Sequence, residues 1–150
     1  MISATVEAQP FGVLYRIECD AGWRVRATHA RVIGADVAID LTSEGAGRWQ
    51  DATGLRPDLE GAIDVDLSVT PFTNTLPIRR LDLTEGQRAE VRVVYVSFPD
   101  LNVTIDRQRY TCMNRGRYRY ESLDSEFTRD IDVDANGLIV TYPGLFRRIL

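Results

Sequence analysis

Two aspartates, Asp64 and Asp66, stand two residues apart in residues 61–83, and this spacing places both side chains on one face of a β-strand. A carboxylate pair can act as general acid and base in a hydrolase or lyase, or can accept hydrogen bonds from sugar hydroxyls. Aliphatic residues alternate with the aspartates, so the opposite face is suited to a core. The same pattern is typical of an ordinary half-buried strand. The stretch therefore predicts a strand whose carboxylates face water or a ligand.

The segment TPFTNTLPIRR, residues 70–80, combines hydroxyl, amide and guanidinium groups. Its two prolines lack backbone donors and favour extended geometry before them, so we expect neither a helix nor a central strand. The segment is either a ligand-binding loop or a structural crossover whose polar groups satisfy the backbone locally. In an extended chain its adjacent arginines point to opposite faces, so one reaches a site and the other pairs with an acidic neighbour. The candidate ligand-binding residues here are Thr73, Asn74, Thr75, Arg79 and Arg80.

Residues 103–122 predict a β-hairpin that turns at residues 114–116, which places Tyr110 opposite Tyr120 and Arg109 opposite Glu121. This parity sends the tyrosines and the arginines to opposite faces, whereas a single-stranded nucleic-acid platform needs both on one surface. Inward tyrosines line either a filled core or a cavity for an amphipathic ligand. The candidate ligand-binding residues of this hairpin and the one after it are Gln108, Tyr110, Tyr118, Tyr120 and Tyr142.

The other apolar stretches are also short and are separated by glycine, asparagine and proline. Residues 13–33 predict a hairpin that turns at residues 20–22 and pairs Ile17 with Val25. Residues 88–98 are apolar on both faces, which indicates a central strand. A third hairpin turns at Asn136-Gly137 and pairs Val133 with Val140. Because no segment shows sustained helical periodicity, we expect an all-β protein with little or no helix, built as a sandwich, a barrel or a curled roll.

The composition fits one domain over residues 1–150. The formal net charge of -4, with arginine as the only basic residue type besides one histidine, works against nonspecific binding to nucleic acids or anionic membranes. Two cysteines and one histidine are too few for a zinc site without carboxylates, so we expect no metal and no cofactor. No apolar run reaches the length of a membrane span, and the N-terminus lacks a secretion-signal pattern. These features predict a cytoplasmic protein.

The string DVDLSVTPFTNTLPIRRL resembles a bacterial family described as putative glycolipid-binding. Further strings carry the resemblance, with Cys-Asp-x-x-Trp-Arg before it and RQRYT, YRYES and GLIVTYPGLFRR after it, so that it runs from about Tyr15 to Arg148. It implies a single rolled antiparallel sheet, the spiral β-roll, and a glycolipid as ligand class. Fewer residues precede Tyr15 than is usual in that family, so a cavity at that end is either closed or left as an open groove.

Residues and resemblance together predict a β-roll that binds an amphipathic small molecule, with a glycolipid as the implied class. Apolar parts of the ligand would contact the tyrosines, and sugar hydroxyls would contact Asp64, Asp66, Asn74 and Arg79. Two alternatives are a small hydrolase or lyase using Asp64 or Asp66, and a protein-interaction module without a small ligand. The interaction module predicts a filled interior and an exposed apolar patch.

Overall fold

The computed structural model describes residues 9–149. The expectations for the start of the chain, the missing secretion signal and the choice between a closed cavity and an open groove, fall largely on residues 1–8, outside the described residues. Within the described range, no helix combines the length and the apolar character needed to cross a bilayer.

The first half of the described chain forms an antiparallel sheet in which the strands follow one another in order. These strands are β1 Val13–Cys19, β2 Val25–Val32, β3 Ala38–Ser43, β4 Trp49–Asp51 and β5 Gly54–Leu55. The predicted turn at residues 20–22 is present, but Ile17 lies opposite Thr28, so its predicted pairing with Val25 is wrong. The ladder shifts register close to this turn, and Trp23 adopts a left-handed φ of 63°. Both irregularities lengthen the connection beyond the three residues that the sequence pattern assigns to it.

The second sheet holds the remaining strands and curls into a half-barrel. Its strands are β6 Asp64–Leu67, β7 Arg88–Ser97, β8 Asn102–Asn114, β9 Arg117–Ser122, β10 Thr128–Val133, β11 Ile139–Tyr142 and β12 Phe146–Arg147. The strands neighbour one another in chain order, and β6 runs parallel to β7 whereas the other pairs are antiparallel. The expected all-β class is confirmed, with the strands divided between two sheets where one rolled antiparallel sheet was expected.

A buried helix, α1 Phe72–Leu81, connects β6 to β7. The expectation that residues 70–80 form no helix is therefore wrong. A parallel strand pair needs a long crossover connection, and a helix is its usual form. Pro71 stands at the helix start with a φ of -76°, where no intrahelical donor is needed, and Pro77 lies inside the helix. The helix tolerates Pro77 because the run from Thr73 to Ile78 is buried, so tertiary packing overrides weak local propensity.

The middle strands of the second sheet bury both faces, so two cores form. Val65 of β6 and Val94 of β7 pack toward the first sheet, whereas Val93 belongs to the core between the second sheet and α1. The prediction that residues 88–98 form a central strand is confirmed. The Trp49 indole donates to the Ala62 carbonyl oxygen at 2.8 Å, which fixes the chain where it enters β6. The concave face of the second sheet and α1 thus enclose a space that no strand residue of the first sheet lines, among the residues that the structure describes.

Cross-strand pairing in the curled sheet sets which side chains enter that space. Tyr110 lies opposite Tyr120, as the sequence predicts, and so does Arg109 opposite Glu121. The turn of the third hairpin is also present, but a register shift places Val133 opposite Ile139, so its predicted pairing with the next residue is wrong. The second hairpin therefore turns its tyrosines inward and its arginines outward.

Candidate functional site

A cavity of about 510 Å³ opens at the N-terminal end of α1, on the concave side of the second sheet. Ser68 and Thr70, between β6 and α1, and Asn74, in the first turn of α1, line the cavity. Its mouth includes exposed residues such as Ser125 and Leu145, so it communicates with solvent. The cavity therefore lies where the ends of several strands meet the start of the helix.

One wall of this cavity is aromatic. Tyr95 comes from β7, Tyr120 from β9 and Tyr142 from β11, while Phe127 and Phe146 complete the wall. The rings of Tyr120 and Phe127 have centroids 6.0 Å apart in an edge arrangement, and those of Tyr120 and Tyr142 lie 6.3 Å apart. Tyr120 also contacts Tyr110 beneath it, with centroids 5.5 Å apart. Interlocked rings of this kind form a rigid apolar surface with hydroxyl groups at its edge.

The other end of the cavity is polar and is built around Gln108, which is buried at 1% exposure. The Gln108 amide nitrogen donates to Asp66 Oδ2 at 2.8 Å and to Asp106 Oδ2 at 3.0 Å. Thr73 Oγ1 donates to Asp66 Oδ1 at 3.1 Å from the first turn of α1. One neutral amide thus holds two carboxylates together at the cavity surface.

A second branch of hydrogen bonds runs from the same glutamine to the helix. The Tyr110 hydroxyl donates to Gln108 Oε1 at 3.4 Å and accepts from Asn74 Nδ2 at 2.9 Å. Asn74 itself also lines the cavity. Because Tyr110 and Gln108 are both 1% exposed, this branch supports the polar end from below and fixes its orientation.

Among the described residues, the polar end contains carboxyl groups and no cation. Among the described residues that line the cavity, the charged side chains are Asp66, Asp106 and Asp124, and the last of these accepts from Arg107 at 2.8 Å. Burial raises the pKa of Asp66, the neutral donors oppose that rise, and Asp106 reinforces it. Burial likewise raises the pKa of Asp106. Neutral hydrogen bonds therefore replace the ion pair that a buried carboxylate usually has.

The aromatic hydroxyls stay protonated at neutral pH. Burial raises the pKa of Tyr95, Tyr120 and Tyr142, and the nearby Asp66 carboxylate raises each further. Among the described residues, the hydroxyls of Tyr120 and Tyr142 have no hydrogen-bond partner in the protein, although both side chains line the cavity. These two groups are available to a ligand as donors and acceptors.

Asp64 occupies a different environment from Asp66. It is 0% exposed, and Arg80 binds it in bidentate fashion, with Nε 3.1 Å from Oδ1 and Nη2 2.6 Å from Oδ2. Burial raises the pKa of Asp64, and the Arg80 guanidinium opposes that rise. Asp64 does not line the cavity, so this pair ties β6 to α1 rather than presenting a free carboxylate.

The structure divides the sequence-predicted ligand residues into three groups. Asp66, Asn74, Tyr120 and Tyr142 line the cavity, and Thr73, Gln108 and Tyr110 support its polar end from behind. The remaining five residues lie elsewhere, and these are Asp64, Thr75, Arg79, Arg80 and Tyr118.

Three of those five contact the β10–β11 turn or line a second cavity. Thr75 Oγ1 donates to the Gly137 carbonyl oxygen at 2.8 Å, which fastens the helix to the β10–β11 turn. The Arg79 guanidinium lies 5.0 Å from the centre of the Trp23 ring. Arg79 and Tyr118 line a second cavity of about 880 Å³, whose lining also includes exposed charged residues. The helix therefore separates two openings of the half-barrel.

Sequence reasoning missed several cavity residues, including Tyr95, Asp106, Phe127 and Phe146. A signal existed for two of them. Asp106 shares a strand face with Gln108 and Tyr110, and Tyr95 shares the face of Val91 and Val93 in β7, so alternation along each strand could have found them. Within residues 9–149, no three or more His, Cys, Asp or Glu side chains are grouped closely enough to hold a metal ion.

Comparisons with known proteins cover nearly the whole chain. The profile of a family described as "Putative glycolipid-binding" matches residues 1–148. The crystal structure of a DUF1089 family protein from Pseudomonas aeruginosa, at 1.80 Å resolution, is 41% identical and superposes with a TM-score of 0.87. That match covers 93% of this chain and 78% of the other. Among curated proteins, none matches.

Proposed function

The chain belongs to the family described as "Putative glycolipid-binding", and from this membership we propose that it binds an amphipathic small molecule of the glycolipid class in the cavity at the N-terminal end of α1. The single observation that carries the proposal is the division of this cavity into an aromatic wall and a polar end. A ligand with one apolar and one hydroxyl-rich part matches both surfaces at once.

The aromatic wall would supply most of the affinity. Burying apolar surface contributes roughly 25 cal/mol per Å², before the costs of association are subtracted. The rings of Tyr120, Phe127 and Tyr142 hold one another in place, so little side-chain freedom remains to be lost on binding. An acyl chain or the apolar face of a sugar would pack against this surface.

The polar end would supply selectivity. Asp66 and Asp106 offer acceptors, Asn74 offers an amide, and the free hydroxyls of Tyr120 and Tyr142 offer both functions. Because Gln108 and Thr73 hold Asp66 from behind, its orientation is set before a ligand arrives. Sugar hydroxyls would replace water at these groups in this arrangement.

The two alternative functions fit less well. Asp64 is held by Arg80, so a hydrolase or lyase would have to use Asp66 with Asp106 instead of the predicted aspartate pair. An interaction module requires a filled interior, and a cavity of about 510 Å³ argues against one. Single-domain organisation and a cytoplasmic location stay sequence-based predictions and form part of the proposal.

Native mass spectrometry of the protein purified from its own host, with extraction of whatever lipid is bound, tests this function. The variant Thr104→Trp places a large ring at the cavity, on an exposed β8 residue where an aromatic side chain suits the strand. Its matched control is Thr111→Trp, which lies on the same strand but outside the cavity.

We expect a stoichiometric lipid or glycolipid on the wild type and on Thr111→Trp, and its loss from Thr104→Trp with unchanged circular dichroism. A protein that carries no lipid from its host and binds none from a panel of glycolipids would overturn the proposal. Equal loading of both variants would move the binding site away from this cavity.

A further inference from the structure

The charge at the polar end of the cavity restricts the headgroup that the proposed function would accept. Asp66 and Asp106 meet at one amide nitrogen, that of Gln108, which is neutral. Two carboxyl groups that share a neutral donor disfavour each other's ionised form, and a positively charged occupant between or beside them would stabilise that form.

In residues 9–149, the elements around this end supply no compensating cation. On the α1 side Thr73 and Asn74 are neutral, and Arg80 is engaged by Asp64. The tyrosines that face the carboxylates from β7, β9 and β11 keep their protons, because burial raises their pKa values. Strand β8 places Asp106 at the cavity and Gln108 behind it.

Two further arginines lie near the cavity but are engaged elsewhere. Arg107 donates to Asp124 through Nε at 3.1 Å and through Nη2 at 2.8 Å. Arg129 lies 4.4 Å over the Phe127 ring, at the aromatic wall, and donates to the Thr128 carbonyl oxygen. In the described part of the chain, the polar end therefore has two carboxylates and no guanidinium of its own.

We infer that this end of the cavity recognises an amine-bearing headgroup, such as an amino sugar on an apolar tail, and discriminates against a headgroup that carries a carboxylate or phosphate. The inference rests on the proposed function, because it assigns the polar part of the same ligand. An ammonium group has three donors and can satisfy oxygens of both aspartates. An anionic headgroup would bring a third negative charge beside them without a cation to receive it.

A matched series of three amphiphiles tests the inference. Decyl glucoside, decyl glucosaminide and decyl glucuronide share the tail and the sugar frame but carry a neutral, an amine-bearing and a carboxylate-bearing headgroup. Isothermal titration calorimetry at neutral pH, below the micelle-forming concentration, gives the three affinities for the wild type. We expect the glucosaminide to bind about tenfold more tightly than the glucoside, and the glucuronide about tenfold more weakly.

The double variant Asp66→Asn, Asp106→Asn should bring the three affinities toward one another. The control Asp130→Asn removes a carboxylate that pairs with Arg119 outside the cavity, so it should keep the wild-type ranking and exclude an effect of net charge. Wild-type protein that binds the glucuronide as well as the glucosaminide would overturn the inference and leave the proposed function standing. A ranking that survives in the double variant would overturn the assignment to these aspartates, and no binding of any amphiphile would overturn the proposed function as well.

Discussion

Asp64 and Asp66 have the same side chain, lie two residues apart on one strand and face the same side of the sheet, yet their surroundings differ. Asp64 is enclosed and receives two hydrogen bonds from the Arg80 guanidinium. Asp66 reaches the cavity and receives its hydrogen bonds from the neutral side chains of Gln108 and Thr73. Burial raises the pKa of both, and a cation opposes that rise only at Asp64.

The difference separates a structural carboxylate from one available to a ligand. The carboxylate of Asp64 is already neutralised by Arg80 inside the protein, whereas a carboxyl group held only by neutral donors is still without a cation and can receive one from a ligand. The helix brings about both arrangements, because Arg80 comes from its last turn and Thr73 from its first. Strand β6 thus stabilises the fold through Asp64 and contributes Asp66 to the cavity.

The largest expected effect follows from removing the cation. Arg80→Met leaves Asp64 buried without a partner, and breaking a buried pair in this way costs about 3–5 kcal/mol. We expect a loss of that size in the free energy of unfolding, measured by urea denaturation at neutral pH. Arg79→Met is the matched control, because Arg79 is exposed and its contact with Trp23 contributes about 0.5–1 kcal/mol.

The double variant Asp64→Leu, Arg80→Met distinguishes an unpaired charge from a loss of packing. Replacing both partners by apolar residues is often neutral for stability, so we expect it to recover most of the loss. Equal stabilities of Arg79→Met and Arg80→Met would contradict the structural role assigned to the Asp64 pair.

Local patterns in the sequence predict the aromatic hairpin and the central strand. The pairing of Tyr110 with Tyr120 follows from a short turn and from favourable neighbours across the strands, both of which lie within about twenty residues. The apolar character of both faces of β7 likewise predicts its burial between two layers. These features depend on the alternation of apolar residues and on turn residues, and both can be recognised in short stretches of the sequence.

Helix α1 could not be predicted in that way, because the internal Pro77 and the two threonines Thr73 and Thr75 give it poor local propensity. The parallel pairing of β6 with β7 and the burial of the helix against the half-barrel stabilise it, and both are long-range. Reading the segment as extended gave the correct expectation that one arginine pairs with an acidic residue. The direction of each arginine nevertheless depends on the helix, since Arg79 and Arg80 lie on different helix faces.

The cavity could be predicted only in part for the same reason. Its wall joins residues from the ends of β7, β9 and β11 with two phenylalanines, and the sequence does not say which strand ends meet. Alternation identifies Tyr120 and Asp66 as inward residues, and it would have identified Asp106. Register shifts in the first and third hairpins also limit the prediction of inward-facing residues from alternation, because a bulge changes which face every residue beyond it occupies.

A smaller effect is expected at Asp66, and it should depend on pH. Asp66 has a folded pKa above its usual value of 3.8, so its ionisation costs folded-state stability once the pH exceeds the unfolded value, and the cost grows until the pH passes the folded pKa. Asp66→Asn removes this cost. Relative to the wild type, the variant should therefore gain stability as the pH rises from about 4 to 8.

The control for this trend is Asp130→Asn, because Arg119 lowers the pKa of Asp130. A lowered pKa stabilises the folded wild type above the unfolded value, so this variant should lose stability slightly over the same pH range. Thermal unfolding at five or six pH values, at about equal ionic strength, gives both curves. Parallel curves for the two variants would contradict the contrast between a carboxylate without a cation and one with a cation.

The smallest effect on stability is expected from Tyr120→Phe, which removes a hydroxyl that has no partner among the described residues and keeps the ring in the aromatic wall. Tyr110→Phe is its counterpart in the hydrogen-bonded branch, where the lost hydroxyl removes the partner of Asn74 Nδ2 and of Gln108 Oε1 and costs about 1–3 kcal/mol. We expect the free energy of unfolding of Tyr120→Phe to lie within about 0.5 kcal/mol of the wild-type value. The variant should bind decyl glucoside several-fold more weakly, as the loss of one net hydrogen bond implies.

If Tyr120→Phe instead lost stability like Tyr110→Phe and bound the glucoside normally, its hydroxyl would belong to the fold. The aromatic wall would then offer the ligand only an apolar surface, and the hydrogen bonds to a sugar would have to come from the polar end.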